Sequence, residues 1–200
     1  MTVPRFVLLT DRRQARQPLS DVVRAAVDAG CRAVLLRERD LPHAERTALA
    51  ADLGAIVRAA GGVLLSAGAP LRGCDGVQLP RPGSTEAIGL PEGLVGRSCH
   101  DAAELAAAQS EGVRYATVSP IFATASKPGY GPALGLDALA ALVAGTTLPV
   151  LALGGIETPE RVARCVGAGA HGVAVMGAVM RAEDPGRCTS ALVAAAEAAR

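Results

Sequence analysis

The chain has 200 residues, of which 50% are hydrophobic and 20% charged, so it can form one substantial core and we predict a single domain over residues 1–200. Its 20 lysines and arginines balance 19 acidic residues and only 2% of residues are aromatic, which leaves neither a global basic field nor a stacking platform for nucleic acid. No apolar run approaches the ~20 residues that cross a bilayer and the first residues lack a signal-peptide pattern, so we expect a cytoplasmic protein without membrane contacts.

Short apolar runs recur along the chain and predict eight β-strands. The runs are nearly continuous in Val and Leu rather than alternating, which is typical of parallel strands that are buried on both faces. In chain order the predicted strands are residues 6–10, 33–37, 62–66, 76–79, 94–98, 115–119, 149–153 and 172–176.

Helical patterns separate most of these strands, at residues 19–29, 42–60, 101–111, 136–144, 159–168 and 185–199. Several are followed by a glycine suited to a helix C-cap, and Thr158 precedes Pro159 as an N-cap. Alternating strands and helices predict the α/β class and, with eight strands in 200 residues, a single-domain (β/α)8 TIM barrel. The stretch of residues 67–74 is too short and too rich in Gly and Pro for a full helix, so either a loop crosses there or one strand prediction is wrong.

Glycines end the last two predicted strands. Gly154 and Gly155 follow the seventh strand, and Met176 and Gly177 occupy the same place after the eighth. A missing Cβ lets backbone N–H groups approach an anion, and TIM barrels form a phosphate site after their last two strands. The pattern predicts a phosphate-binding site, although glycines in this position can also serve only to make tight turns.

Basic and hydroxyl residues follow other predicted strands at the same end of the barrel. Arg37 and Arg39 follow the second strand and suit bidentate phosphate contacts, the alternative being solvation or salt bridges with neighbouring acids. Thr124, Ser126 and Lys127 lie in a Pro- and Gly-containing loop that can close over an anion, or is simply a polar loop.

His100 is the best candidate for a general base, because it follows the fifth strand directly and histidine titrates near neutral pH. The alternative is that His100 and Asp101 cap the next helix. Cys99 is a weaker candidate nucleophile, since the sequence places no second histidine, besides His100, next to it. The five cysteines are odd in number and scattered, so we expect reduced thiols and no metal site.

Together these segments resemble the thiamine-phosphate synthase / TenI-type thiazole tautomerase family. The resemblance covers essentially the whole chain, through LLTDRR, LLRERDL, GRSCHDAAEL, VSPIFATASKPGYGP, LALGGIETPERV and GVAVMGAVM. It implies a TIM barrel, as a homodimer, with a phosphorylated thiazole near the 124–127 loop and the two glycine turns. In the synthases it also implies a pyrimidine pyrophosphate beside Arg37, Arg39, Ser98 and Lys127, with Mg²⁺ held by carboxylates to neutralise the leaving group.

The chain departs from both branches of this family. Where the synthases carry Asn-Asp after the third strand it has Ser66-Ala67, and residues 80–83 (PRPG) replace the expected acidic ligand after the fourth. Leu35 replaces a pyrimidine-binding glutamine. Pro120 replaces the histidine associated with the tautomerase.

On balance the sequence favours a metal-independent, tautomerase-like isomerase that uses His100 and needs no cofactor. The first alternative is the synthase reaction, with Mg²⁺. Another is a non-catalytic barrel that binds thiazole phosphate or thiamine phosphate, and an unrelated isomerase or lyase with the same phosphate site is also open.

Overall fold

Eight parallel strands form a closed barrel in the computed structural model, which describes residues 2–83, 90–124 and 132–198. Each strand pairs with the next along the chain, and β8 pairs with β1 to close the ring. The strands are β1 Phe6–Leu9, β2 Ala33–Leu36, β3 Val63–Ala67, β4 Gly76–Leu79, β5 Leu94–Cys99, β6 Tyr115–Val118, β7 Val150–Leu153 and β8 Gly172–Val175. The predicted TIM barrel is confirmed.

The helices surround this barrel. They are α1 Leu19–Asp28, α2 His43–Ala59, α3 Ala102–Glu111, α4 Gly135–Ala144, α5 Pro159–Gly167, α6 Gly177–Met180 and α7 Pro185–Ala198. Within the described ranges, no helix is both long enough and apolar enough to span a membrane. All predicted strands and helices are present, with described ends within one residue of their predicted positions. The short helix α6 was not predicted.

The strands are buried on both faces because one group of apolar side chains fills the barrel and a second group packs between the barrel and the helices. Alternate strand residues fill the barrel interior, and the others pack outward against the helices. The interior group comprises Val7, Leu9, Ala33, Leu35, Leu65, Ala67, Leu94, Tyr115, Leu151 and Ala174. The sequence has few aromatic residues, so aliphatic side chains fill almost all of this space.

The helix ends follow the predicted capping residues. Gly30, Gly61, Gly112 and Gly169 all have positive φ, which glycine adopts without the steric cost of a β-carbon. The Thr158 hydroxyl accepts a hydrogen bond from Arg161 N at 3.4 Å and caps α5.

A loop, rather than a helix, joins β3 to β4. The two strands are direct parallel neighbours, and Gly68 N donates a hydrogen bond to Gln78 O at 2.8 Å where the loop leaves β3. This resolves the alternative left open by the sequence: all eight strand predictions are correct, and the crossover simply lacks a helix.

Candidate functional site

A pocket opens at the carboxyl ends of β7 and β8, next to β1 and β2. Six of the residues that were predicted to bind substrate line it: Arg37, Thr124, Gly154, Gly155, Met176 and Gly177. Apolar side chains, including Leu9, Leu153 and Ile156, line the pocket beside them. The pocket therefore combines an apolar surface with backbone-rich glycine turns and one arginine, the composition of a small-ligand site.

The Gly154-Gly155 turn requires glycine at both positions. Their φ angles are +101° and +65°. A β-carbon on Gly155 would come within 2.5 Å of Ala123 O, because the turn packs on the segment that follows β6. The sequence GG therefore allows the loops after β6 and β7 to approach each other at the pocket wall.

Arg37 extends from β2 across β1 toward the pocket. Its Nη1 lies 3.5 Å from Asp11 Oδ2 and 3.7 Å from the sulfur of Met176, beyond β8. Its backbone N–H donates to the Thr10 hydroxyl at 3.0 Å, which ties the ends of the first two strands together. The guanidinium is thus held near the glycine turns, although Arg37 follows β2, and β1 lies between β2 and β8.

Glu38 and Asp40 are bound by Arg12 rather than by Arg37 or Arg39. Glu38 is buried and accepts hydrogen bonds from Arg12 N and Arg12 Nη1, both at 3.0 Å. Arg12 also binds Asp40 at 2.7 and 2.8 Å, and these hydrogen bonds lower the pKa of that carboxyl to about 2. These acids therefore form a clamp between the loops after β1 and β2.

Arg39 lies outside the pocket, at the carboxyl end of β3. Its Nε is 3.5 Å from the position that a β-carbon on Gly68 would occupy. Gly68 directly follows Ser66 and Ala67, the residues that replace the expected Asn-Asp pair. An exposed guanidinium therefore stands beside the position where the family resemblance implies metal ligands.

Ser98 does not line the pocket and instead forms a polar cluster with Gln78 and Thr117 inside the barrel. Gln78 Nε2 donates to the hydroxyls of Ser98 at 3.2 Å and Thr117 at 3.1 Å. Gln78 is buried, and among the described residues its Oε1 has no hydrogen-bond partner. Sequence reasoning missed Gln78, although a polar residue in the otherwise apolar strand GVQL was a usable signal.

His100 lies in a second cavity, with Arg81, Asp101 and Glu104, rather than beside the glycine turns. Ser119 and Pro120 border both spaces. His100 Nδ1 is 2.9 Å from Glu104 Oε2, which also accepts the His100 backbone N–H at 2.8 Å. Asp101 caps α3 by accepting from Glu104 N at 2.8 Å, so the capping alternative is confirmed for Asp101.

The described residues that directly follow β3 and β4 do not fit a carboxylate-held Mg²⁺ ion. Ser66 donates its hydroxyl to Ala69 O at 2.7 Å, and the Pro80 carbonyl accepts from Arg97 at 3.0 Å. Over residues 2–83, 90–124 and 132–198 no three acidic, histidine or cysteine residues are grouped as metal ligands. Mg²⁺ prefers carboxylate and water oxygens, which this donor set does not offer.

Two predicted residues, Ser126 and Lys127, lie outside the described residues. Cys99 is fully buried in the core, and this burial raises the pKa of its thiol to about 12. A thiol with such a pKa is protonated at neutral pH and is not a nucleophile.

Polar residues at the mouth of the pocket were also missed. Gln14, Glu157 and Arg181 come from the loops after β1, β7 and β8, and the Arg181 guanidinium donates hydrogen bonds to both Gln14 and Glu157. Their positions shortly after three strand ends were a weak signal, because many polar loop residues share it.

The chain is similar to known proteins both in sequence and in fold. The family model described as "Thiamine monophosphate synthase" matches residues 6–179. Two similar proteins are both called "Thiamine-phosphate synthase": one from Roseiflexus castenholzii is 37% identical, covering 92% of this chain and 85% of that protein, and one from Moorella thermoacetica is 33% identical, covering 90% and 89%. The structure of "Thiamine phosphate pyrophosphorylase" from Pyrococcus furiosus superposes with a TM-score of 0.85 at 27% identity, covering 98% of this chain and 96% of that one.

Proposed function

Since this chain belongs to the thiamine-phosphate synthase family of thiamine biosynthesis, we propose that it couples a thiazole phosphate to hydroxymethylpyrimidine pyrophosphate. The observation that carries this proposal is the single pocket that joins Arg37 to both glycine turns. The glycine turns suit a phosphate, and the apolar wall at Leu153 and Ile156 suits a heterocyclic ring.

In this reaction the C–O bond between the pyrimidine methylene and the pyrophosphate breaks, and the pyrophosphate leaves with the bonding electrons. The thiazole nitrogen then donates its lone pair to that carbon, which forms the new C–N bond of thiamine phosphate. The protein must therefore hold the two rings close together and neutralise the charge that develops on the leaving group.

Arg37 and Arg39 are suited to this neutralisation. They flank Glu38, whose clamp to Arg12 fixes the loop, and they extend toward β8 and β3 respectively. Arginine is always charged and binds phosphate oxygens in pairs, so it can offset developing charge where the described residues provide no group of carboxylate metal ligands. We therefore expect catalysis to depend on these arginines more than on a protein-bound metal.

The tautomerase-like reaction, which the sequence favoured, becomes the second candidate. The relatives named above are called synthases, and His100 is held by Glu104 in a different cavity from the glycine turns. What still favours proton transfer is that it needs no metal, and the described residues show no group of metal ligands. A non-catalytic thiazole-phosphate binder is the remaining alternative.

A paired assay tests the proposal. The purified protein is incubated with thiazole phosphate and the pyrimidine pyrophosphate, with Mg²⁺ and with EDTA, and thiamine phosphate is measured. Tautomerisation of the thiazole carboxylate phosphate is measured in parallel. We expect thiamine phosphate to form both with Mg²⁺ and with EDTA. We also expect Arg39→Gln to lower the rate of thiamine phosphate formation more than Arg72→Gln does, since Arg72 is an exposed control.

Other outcomes select between the candidates. Tautomerisation without coupling would reverse the proposal in favour of the isomerase, and tight thiazole phosphate binding with neither reaction would favour a binding protein. Activity that disappears in EDTA would remove the argument from the arginines. The homodimer expected from the family resemblance is checked by sedimentation.

A further inference from the structure

Arg181 lies next to Gly177 and adjoins the pocket at that residue. It follows α6, and its guanidinium packs so closely over Gly177 that a β-carbon there would collide with its Nη1. Gly177 itself lines the pocket. An arginine head group is therefore in direct contact with one of the two glycine turns.

Two short hydrogen bonds hold Arg181 in this position. Its Nη1 donates to Gln14 Oε1 and its Nη2 to Glu157 Oε1, each at 2.6 Å. Gln14 Nε2 donates in turn to Asp11 Oδ2 at 2.7 Å, and the same oxygen lies 3.5 Å from Arg37 Nη1. One line of five side chains thus runs from Glu157, after β7, to Arg37, after β2, and both of these end residues line the pocket.

Glu157 makes the arginine necessary. Glu157 lines the pocket, so its carboxylate, if unpaired, would repel a phosphate dianion. The Arg181–Glu157 ion pair neutralises that charge, and the two bonds described use two of the five N–H donors of a guanidinium. The remaining donors suit a phosphate held at Gly177.

We propose that Arg181 binds the substrate phosphate together with the Gly154-Gly155 and Gly177 turns, and that Glu157 competes with the phosphate for its guanidinium and pairs with it when the pocket is empty. This inference rests on the proposed function, since it takes the ligand to be a thiazole phosphate. It adds a specificity residue, because Arg181 favours phosphorylated over unphosphorylated thiazole.

Calorimetric titration of the full chain tests this role, using thiazole phosphate and the thiazole alcohol. Arg181→Gln is expected to raise the Kd of the phosphate about tenfold, as loss of a charge-assisted contact does, and to leave that of the alcohol unchanged. Glu157→Gln removes the competing carboxylate and is expected to lower the Kd of the phosphate. Arg16→Gln is the matched control, since Arg16 forms an exposed ion pair with Glu183 at 3.4 Å.

A purely structural ion pair gives a different result. Arg181→Gln and Glu157→Gln would then lower the melting temperature and leave both Kd values unchanged, which would overturn the inference. If Arg181→Gln does not fold, Glu157→Gln decides alone: a lower Kd for the phosphate supports the inference, and an unchanged Kd overturns it.

Failure of the proposed function can be distinguished from failure of the proposed role of Arg181. If the wild type binds inorganic phosphate but no thiazole phosphate, the proposed function fails, and the same variants titrated with inorganic phosphate support or overturn the role of Arg181. If the wild type binds neither, both proposals fail.

Discussion

Gly154 lies directly against Pro120. A β-carbon on Gly154 would come within 2.9 Å of the Pro120 Cα, and the adjacent backbones are joined by a hydrogen bond from Ile121 N to Leu153 O at 2.9 Å. By the family resemblance, Pro120 occupies the position of the histidine associated with the tautomerase branch. The Gly154-Gly155 turn therefore packs on the position at which the family resemblance separates this chain from that branch.

This contact predicts the effect of Gly154→Ala. The substitution combines a strained φ of +101° with a collision against backbone, so we expect a loss of about 1–3 kcal/mol in the free energy of unfolding and a raised Kd for thiazole phosphate. Gly61→Ala is the control, since Gly61 has φ +71° but open space around it. Denaturation and titration measure both quantities, and equal effects of the two variants would contradict the packing argument.

His100→Ala is expected to keep most of the turnover of the wild type. The His100 ring is engaged by Glu104 and lies outside the pocket with the glycine turns, so its loss removes a local contact rather than a base. We expect a stability loss of about 0.5–1 kcal/mol, typical of a single hydrogen bond. A folded variant with turnover reduced a hundredfold would restore His100 as the general base.

The Arg12 clamp predicts a pH dependence of stability. Hydrogen bonding to Arg12 lowers the pKa of Asp40 in the folded state from 3.8 to about 2, so the unfolded chain takes up the proton first. The stabilisation from this carboxylate is complete above pH ~4 and is lost as the pH falls toward 2. Urea midpoints of wild type and Asp40→Asn should therefore differ at pH 7 and converge below pH 4.

Asp52→Asn is the control for that series, because Asp52 is on the exposed side of α2. A difference between wild type and Asp40→Asn that stayed constant from pH 7 to pH 3 would show that Asp40 acts through something other than its charge.

Cys99 should be unreactive in the folded protein. Burial raises the pKa of its thiol to about 12, and the side chain is inaccessible, so iodoacetamide at pH 8 should label it only after unfolding. Cys99→Ala is expected to retain activity. Fast labelling of Cys99 at native conditions, followed by inactivation, would reopen its role as a nucleophile.

Local patterns were sufficient for the fold. Continuous Val and Leu runs such as VLAL and GVAV specify buried parallel strands, and glycines such as Gly30 and Gly112 end helices through their positive φ. The length of residues 67–74 also excluded a full helix, as the structure confirms. Helix α6 was missed because a single turn has no periodicity to detect.

Within the site, the positions after strand ends were predictable but the direction of each side chain was not. Arg37 and Arg39 lie two residues apart, yet one reaches the pocket and the other stands beside Gly68. His100 has the chemistry of a base, and nevertheless its ring is hydrogen-bonded to Glu104 in the first turn of α3. Residue type indicates what a group can do, whereas its neighbours in space decide what it does.

The amino-acid pattern alone determines the barrel and the two glycine turns of this protein, because strand burial, helix capping and backbone freedom depend on residues close together in the chain. Tertiary structure alone decides that Arg37 and Arg181, 144 positions apart in the sequence, are joined through Asp11 and Gln14 around one pocket. Closing the barrel brings β8 beside β1, and hydrogen bonds act over a few ångströms of space regardless of separation along the chain.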